Sequence, residues 1–358
     1  MSFNYIGSKK TLINFIITPI ESILQELDKN HEDTVVLDGF AGTGIVGSTL
    51  FKQFGVNVFA NDLEYYSYII NYSLLCVSYN EKIQDIINIL NDDFLKDITL
   101  TSSLVTDNYT PKGEDGRMFW TVDNGMRCDY SISRIKKMLE DNEITKNEYI
   151  FLLASIMMGM DKVANTTSVY GAYLKKFKTS AIELMKIEPI HTNSFKHNNK
   201  VYNLNINSPE ILSGTYDIVY LDPPYNERQY SSNYHPLNYI AKYTTDLEIY
   251  GKTGLIKDYN KSKYCKKSEA LANLEELIDK LNAKYILLSY NNEGIMDFEH
   301  IKELLLKYGD LTLYKKLYKK YKSNKKEQDR EDGVVYEFLF CLQKNNDNVN
   351  AFTEKLVE

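Results

Sequence analysis

A strand, a glycine-rich turn and a helix follow one another in "VVLDGFAGTGIVGS" at residues 35–48. The β-branched run before the glycines is typical of a strand, and residues 45–54 have the composition of a helix. A second strand at 56–60 and a second helix at about 64–77 continue the pattern. Because parallel strands need a crossover connection, this β-α-β-α order predicts a doubly wound, mostly parallel α/β sheet.

The strand pattern stops after the second helix and returns much later in the chain. Residues 81–195 are mainly helical in character, whereas strands are expected at 201–204, 217–221, 285–289, 311–321 and 334–342. We therefore predict a seven-stranded, Rossmann-like core formed by residues 1–80 and 196–345, interrupted by a mainly helical insertion at 81–195. The insertion is the candidate substrate-recognition region, and residues 226–275 are expected to add a second contacting segment.

The composition narrows the class of protein. Of the 358 residues, 43% are hydrophobic and 25% charged, which is typical of a globular chain. Met1 leads directly into a patterned segment, and the apolar runs are far shorter than a bilayer requires, so neither a targeting segment nor a membrane span is expected. The four cysteines are scattered and have no histidine pairs nearby, which favours a reduced, cytoplasmic protein without a metal site.

The glycine turn predicts a cofactor that contains adenosine. Gly42, Gly44 and Gly47 have the spacing of a dinucleotide-binding turn. Asp62 follows Gly42 by twenty residues, at the end of the second strand, where a carboxylate can bind ribose hydroxyls. Asp38 separates two cofactor classes, because a carboxylate before the glycines repels a pyrophosphate and attracts an ammonium group. The sequence therefore favours S-adenosylmethionine over NAD.

The segment "DIVYLDPPYNERQY" at 217–230 ends an apolar run in an acid, two prolines and an aromatic residue. Prolines cannot donate to a sheet ladder, so the strand must end there, and Pro224 adds rigidity. Asp222 and the carbonyl of Pro223 can accept the two hydrogens of an exocyclic amine, which makes its nitrogen more nucleophilic. Tyr225 can stack on a base that has left a duplex. This corner predicts methyl transfer to adenine.

Four segments, in this order, are similar to the motifs of N6-adenine DNA methyltransferases: "FNYIGSKKTL" at 3–12, "LDGFAGTGIVG" at 37–47, "NDLEYYS" at 61–67 and "YLDPPYNERQY" at 220–230. The N-terminal motif precedes the glycine turn, which resembles the alpha-type order of the D12 class. Three more segments are similar to FokI-type modification methylases: "DKVANTTSVYGAYLK" (161–175), "NERQYSSNYHPLNYIA" (226–241) and "SYNNEGIM" (289–296). The resemblance extends from about residue 3 to residue 341.

The resemblance implies a class I SAM-dependent methyltransferase that modifies adenine N6 in double-stranded DNA after flipping the base out of the helix. It also implies a modification enzyme that acts as a monomer, with a cognate restriction endonuclease as a separate protein. The residues implied in catalysis are Asp222, Pro223, Pro224 and Tyr225. Those implied in cofactor binding are Tyr5, Lys9, Asp38, Phe40, Gly42, Thr43, Gly44, Asp62, Leu63, Asn205 and Asp222. Asn205 stands where such enzymes usually carry an aspartate.

Local clusters of basic and polar residues are candidate DNA contacts. The net charge is −7, so any DNA-binding surface must be local. Lysine-rich runs occur at 252–267 and 315–326, and a solvated face explains each run equally well. The candidates are Arg117, Arg127, Asn165, Tyr170, Lys175, Arg228, Ser289, Tyr290, Asn291, Lys319 and Lys320. Helix capping is an equally good explanation of Asn165 and Tyr170.

Other functions stay open at this point. A methyltransferase of structured RNA would use the same corner, whereas a protein-glutamine methyltransferase usually carries asparagine in place of Asp222. The glycine turn also permits an NAD-dependent dehydrogenase, which would leave the proline–tyrosine corner unexplained. A DNA-binding subunit without activity would not need both Asp222 and Tyr225.

Overall fold

A computed structural model describes residues 9–93, 102–193, 198–319, 334–345 and 350–357. The strands in these ranges are β1 (Val35–Asp38), β2 (Asn57–Asn61), β3 (Lys200–Tyr202), β4 (Thr215–Leu221), β5 (Ile249–Tyr250), β6 (Leu255–Ile256), β7 (Asn282–Asn291), β8 (Gly309–Lys319), β9 (Val334–Lys344) and β10 (Phe352–Val357). The helices are α1 (Ile13–Glu26), α2 (Ile45–Phe54), α3 (Tyr65–Cys76), α4 (Glu81–Asp93), α5 (Leu104–Tyr109), α6 (Val122–Glu140), α7 (Lys146–Lys162), α8 (Thr179–Ile182), α9 (Pro209–Leu212), α10 (Tyr230–Asn233), α11 (His235–Lys242), α12 (Lys267–Lys280) and α13 (Phe298–Leu305).

One large sheet organises the protein. Its strand order is β10-β8-β9-β7-β4-β1-β2-β3, and β9 alone runs antiparallel to its neighbours. The doubly wound, mostly parallel α/β fold expected from the sequence is therefore confirmed. The expected number of strands was wrong, because eight strands pair in the described ranges rather than seven.

The additional strand is β10, which pairs in parallel with β8 at the edge of the sheet. Five of its six residues are exposed, so its sequence carries little of the apolar alternation that marks a half-buried strand. The other seven strands lie close to their predicted positions. Six of them have apolar side chains buried on one or both faces of the sheet, and Val201 of β3 is half-buried against a core cluster.

Helices cover both faces of the sheet, and alternate residues of a strand point to opposite faces. Val36 of β1 belongs to a hydrophobic cluster with α1 and α2, whereas Leu37 belongs to a cluster with α12 and α13. Both side chains are fully buried. Burial on both faces explains why β1 reads as a continuous apolar run rather than an alternating one.

The helical region between β2 and β3 shares its core with the rest of the chain. The α7 helix is apolar on all sides and almost entirely buried, as expected of a helix at the centre of a bundle. Its cluster also includes residues of α11, which follows β4, so this region has no separate core of its own. Within the described ranges, none of the helices combines the length and apolar character needed to cross a membrane.

The sheet brings the sequence motifs to one edge. In parallel strands the carboxyl ends meet at the same edge, and β1, β2 and β4 end directly before or at Asp38, Asp62 and Asp222. The strand order reverses between β1 and β4, because one crossover runs towards β3 and the next runs back. Ligands of open α/β sheets bind at such a reversal.

Candidate active site

Glycine and neighbouring side chains shape the turn between β1 and α2. Gly44 has a left-handed φ of 75°, and a Cβ there would lie 2.7 Å from Oδ1 of Asn71. The carbonyl of Gly42 accepts from Ser67 Oγ at 2.6 Å and from Asn71 Nδ2 at 3.1 Å. The amide of Gly42 donates to Asp62 Oδ2 at 2.7 Å. These hydrogen bonds within the protein therefore fix the conformation of the turn without any ligand.

Asp38 is buried, and its two carboxylate oxygens differ in their hydrogen bonding. Its Oδ2 accepts from the amide of Gly47 at 3.0 Å, while its Oδ1 is buried without a hydrogen-bond partner among the described residues. Burial raises the pKa of Asp38 to about 7, and the charges of Asp222 and Asp62 add to the shift although the Gly47 amide opposes it. An orphaned carboxylate oxygen of this kind fits a cationic ligand group.

Two adjoining cavities lie at the carboxyl edge of the sheet. Phe40 and Leu63 line both of them. The first cavity also reaches Asp62 and Asp222, and the second reaches Asn205. The two cavities form a cleft that brings together five of the residues expected to bind the cofactor. Their role as cofactor ligands stays a prediction.

The other residues that were expected to bind the cofactor occupy different positions. Oδ1 of Asn205 accepts from the amide of Asn207 at 3.0 Å, and the Asn205 side chain is exposed at the rim of the cleft. Thr43 is half-buried within the glycine turn. Lys9 is buried and lies beside Asp222, at the corner that follows β4. Tyr5 lies outside the described residues.

The corner that follows β4 is built around one oxygen of Asp222. Oδ1 of Asp222 lies 3.0 Å from the Lys9 ammonium and accepts from the Tyr225 hydroxyl at 2.7 Å. Lys9 also donates to that hydroxyl at 2.7 Å and lies over the tyrosine ring, 4.6 Å from its centroid. Neither Oδ2 of Asp222 nor the carbonyl of Pro223 has a hydrogen-bond partner within the described part of the chain. One carboxylate oxygen is thus anchored and two acceptors remain for a substrate.

Strand β7 supports Tyr225 from behind. Ser289 Oγ lies 3.2 Å from the Tyr225 hydroxyl, and the ring of Tyr290 packs on the ring of Tyr225 with centroids 4.8 Å apart. Tyr290 also accepts from the amide of Met296 at 3.0 Å. Both Ser289 and Tyr290 are buried. They were expected to contact DNA, and their burial corrects this, because both side chains pack against Tyr225 instead.

Three further candidate DNA contacts are corrected for the same reason, because a buried and fully bonded side chain cannot reach a base. Asn165 is buried, donates to the carbonyls of Met118 and Leu174, and accepts from the amide of Lys178. Tyr170 is buried and donates to Asp161 at 2.8 Å. Arg117 is buried and donates to three backbone carbonyls.

The other candidates remain compatible with a surface role. Arg228 and Lys175 are exposed, and Arg127 and Asn291 are half-buried. Lys320 lies outside the described residues, as does the side chain of Lys319. These side chains are not brought together at one place by the described contacts, and DNA binding by any of them stays a prediction.

Glu64 is a residue of the cleft that the sequence analysis missed. Its Oε2 accepts from Asn238 Nδ2 at 2.6 Å and its Oε1 accepts from the Ser231 hydroxyl. Burial raises the pKa of Glu64 to about 7, with the Ser231 hydrogen bond opposing the shift. Glu64 therefore links the segment after β2 to α10 and α11, which follow the corner after β4. Its place between Leu63 and the tyrosine-rich α3 offered no recognisable signal.

Acidic groups dominate the charge of the cleft. Burial raises the pKa values of Asp62, Asp222 and Glu337, as it does for Asp38 and Glu64. The positive charge of Lys9 partly offsets the shifts at Asp222 and Glu337. Such a site attracts a ligand that carries positive charge and repels a pyrophosphate. These acidic groups therefore fit S-adenosylmethionine, with its ammonium and sulfonium groups, and do not fit NAD.

Comparison with known proteins agrees with this geometry. Residues 5–304 match the family model of the D12 class N6 adenine-specific DNA methyltransferases. The chain is 38% identical to the type II methyltransferase M.NlaIII of Neisseria lactamica, over 95% of this chain and 99% of that protein. It is 36% identical to M.CviAII of Paramecium bursaria Chlorella virus 1, over 94% of this chain and 97% of the relative.

A third relative is longer. The chain is 36% identical to M.FokI of Planomicrobium okeanokoites, over 95% of this chain but only 52% of M.FokI. The chain thus spans about half of that relative and nearly the full length of the other two. Both the family model and these relatives lead to one assignment: the chain belongs to the D12 class N6 adenine-specific DNA methyltransferase family.

Proposed function

We propose that this protein methylates N6 of adenine in double-stranded DNA at a specific site, with S-adenosylmethionine as the methyl donor. The observation that carries the proposal is the corner after β4, where Oδ1 of Asp222 is anchored by Lys9 and Tyr225 while Oδ2 is left for a substrate. When bound, S-adenosylmethionine supplies an electrophilic methyl group on a sulfonium.

Asp222 and Pro223 activate the amine. The lone pair of the adenine amine is delocalised into the ring, so the nitrogen is a weak nucleophile. Oδ2 of Asp222 and the carbonyl of Pro223 accept its two hydrogens and localise the lone pair towards the methyl carbon. The rigid proline backbone holds this second acceptor in place.

The proton of the amine leaves after the methyl group has been transferred. The methylated nitrogen carries a positive charge, and its proton is then strongly acidic. Burial raises the pKa of Asp222, which makes this carboxylate a better proton acceptor than an exposed aspartate. Asp222 therefore orients the amine first and accepts the proton later.

Base flipping brings the adenine to this corner. The target atom lies inside the duplex, so the base must leave the stack to reach a carboxylate in a cleft. The half-buried ring of Tyr225, fixed by Tyr290 behind it, supplies a surface on which the base stacks. Pro224 and Tyr230 line the cavity that Asp222 also lines, and they exclude water around the reacting nitrogen.

The proposal is tested with tritiated S-adenosylmethionine and unmethylated duplex DNA. We expect label in the duplex and N6-methyladenine after digestion to nucleosides. Structured RNA is the parallel substrate, because an RNA methyltransferase would use the same corner. Label in RNA alone, in cytosine, or in neither nucleic acid would overturn the proposal.

We further propose that the protein is the modification enzyme of a restriction–modification system in the cytoplasm, with the endonuclease as a separate chain. The relatives M.NlaIII and M.CviAII are both named type II methyltransferases, which supports this placement. Single-molecule sequencing of DNA from cells that express the protein is expected to reveal one short sequence methylated throughout. Methylation scattered without sequence preference would contradict the assignment.

A further inference from the structure

The turn between β5 and β6 is fixed by an unusual set of contacts. Each of its four carbonyls, at residues 251–254, lies within hydrogen-bond distance of a side chain from elsewhere in the chain. Arg117 Nη2 lies 3.0 Å from the Gly251 carbonyl and Arg117 Nε lies 3.3 Å from the Lys252 carbonyl. His235 Nε2 lies 2.8 Å from the Thr253 carbonyl, and the Tyr109 hydroxyl donates to the Gly254 carbonyl at 2.7 Å.

The three side chains that hold the turn are themselves buried. Tyr109, Arg117 and His235 are each less than 5% exposed. Burying a guanidinium is costly unless its donors are satisfied, and Arg117 satisfies its own with the turn, the Asn108 carbonyl and Asp115. Gly254 makes the close approach feasible, because its φ is 70° and a Cβ there would lie 3.0 Å from Arg117 Nε. The turn is therefore preorganised rather than mobile.

The outer side of the turn presents donors and positive charge. All four carbonyls point inward, while the backbone amides of Lys252 and Thr253 make no hydrogen bond to any described residue. Lys252 is exposed and has no carboxylate partner in the described ranges. Two other lysines of the 252–267 run differ in this respect, because Lys257 pairs with Glu248 at 2.8 Å and Lys266 pairs with Glu269 at 2.8 Å.

Hydrogen bonds link the turn to a segment that borders the cleft. His235 joins the two, since its Nδ1 lies 2.9 Å from the Ser232 carbonyl and its Nε2 lies 2.8 Å from the Thr253 carbonyl. Ser232 belongs to the short helix that begins at Tyr230, a residue of the cavity that contains Asp222. Hydrogen bonds thus connect the turn to the segment that follows the catalytic corner.

We propose that the 251–254 turn is a preorganised contact for a backbone phosphate of bound duplex DNA. The ligands are the Lys252 ammonium, the Thr253 hydroxyl and the two free amides. A phosphate is anionic and only accepts hydrogen bonds, which matches a surface made of donors, whereas base edges present donors as well as acceptors. The inference rests on the proposed function, because it takes DNA as the substrate.

The role proposed for Arg117 differs from the DNA contact that was expected from the sequence. Arg117 does not touch DNA; it positions the turn that does. A fixed turn loses less conformational entropy when it binds than a mobile loop would, so the phosphate contact gains affinity from these anchors.

The experiment measures binding directly, by fluorescence anisotropy with a pool of labelled duplexes of random sequence, over a range of salt concentrations. Lys252→Gln is expected to weaken binding about three- to tenfold and to lower the slope of log Kd against log salt concentration by about one. Lys257→Gln is the matched control, because this lysine lies on the same hairpin but is already paired. It should change Kd less than about twofold.

A second variant tests the positioning of the turn. Tyr109→Phe removes one anchor without removing a charge, so it should raise Kd while the salt slope stays as in the wild type. Its methyl transfer rate at saturating DNA should also be unchanged. A structural defect would instead lower this rate and the melting temperature together.

Three outcomes would overturn the inference: an unchanged salt slope in Lys252→Gln, equal effects of Lys252→Gln and Lys257→Gln, or no binding of duplex by the wild type. The proposed function fails separately, when the wild type binds duplex but transfers no methyl group to it.

Discussion

The ammonium of Lys9 lies 3.0 Å from Oδ1 of Asp222, so the N-terminal motif and the catalytic corner meet although 213 positions separate them in the sequence. Lys9 is buried, and the same ammonium lies over the ring of Tyr225. The sequence similarity implied that Lys9 approaches the cofactor. In the structure Lys9 contacts both Asp222 and Tyr225, the residues to which we assign the chemistry.

Lys9→Met should slow methyl transfer and shift its pH dependence. Burial raises the pKa of Asp222 and the charge of Lys9 opposes that shift, so loss of the charge raises this pKa further. Asp222 must be ionised to accept both the amine hydrogen and the later proton, so the acid limb of the rate profile moves to higher pH. We expect a loss of about ten- to a hundredfold near neutral pH in single-turnover assays. Lys10→Met, at an exposed neighbour, is the control, and identical profiles for both variants would refute this role.

Asp222→Ala should abolish methyl transfer without unfolding the protein. The substitution removes the acceptor of the amine hydrogen, and the expected loss is at least about a hundredfold. Asp217→Asn, at the other end of the same strand, is the matched control. Asp217 pairs with Lys29 at 2.7 Å and with Lys284 at 3.2 Å, far from the cleft.

The two variants should separate activity from stability. Asp217→Asn is expected to lower the free energy of unfolding by about 1 kcal/mol and to leave the transfer rate unchanged. Denaturant unfolding and single-turnover rates of both proteins give the comparison. Substantial turnover by Asp222→Ala would remove Asp222 from the mechanism.

Cofactor binding should release protons near neutral pH. Burial raises the pKa of Asp38 to about 7, and a cationic ligand favours the ionised carboxylate. Affinity for S-adenosylmethionine should therefore rise as the pH rises through about 7, with release of up to about half a proton from this group at the midpoint. Calorimetry in buffers of different ionisation enthalpy measures the release.

Asp38→Asn provides the comparison for that measurement. The asparagine oxygen can keep the hydrogen bond from the Gly47 amide while the charge is lost. The variant should bind S-adenosylmethionine more weakly and release fewer protons than the wild type. Equal proton release by the two proteins would show that Asp38 does not face the cofactor's charge.

Glu64→Gln should stabilise the ligand-free protein at alkaline pH. Burial raises the pKa of Glu64 to about 7, above the ordinary value of 4.5. The folded state thus binds more protons than the unfolded state between these values, and stability falls as the pH rises through that window. Glutamine imitates the protonated form, so the variant escapes this loss, which is at most about 3 kcal/mol.

Melting temperatures of both proteins across that pH range test the prediction. The two should agree at the acid end, and the variant should melt higher at the alkaline end. A constant difference between the two proteins would mean that Glu64 is not protonated in the folded state.

Much of the fold could be predicted from local pattern. Six of the eight strands of the large sheet have buried apolar side chains that mark them in the sequence, and the glycine turn requires left-handed residues at Gly42 and Gly44. The exposed edge strand β10 could not be predicted, because solvent-facing positions place little constraint on residue type. The candidate DNA contacts were predicted least well, since a polar side chain looks the same in sequence whether it reaches a base or a buried carbonyl.

Local sequence is enough to predict the parallel sheet, the glycine turn and the acid–proline corner, because each depends on residues that are adjacent along the chain. Which distant residues come into contact depends on the tertiary structure. Lys9 contacts Asp222, Glu64 contacts Ser231 and Asn238, and Arg117 contacts the turn at 251–254. The physical reason is that pairing between distant residues depends on how the helices pack on the sheet. Burial then sets the charge states of the acids in the cleft, and burial is a property of the folded protein.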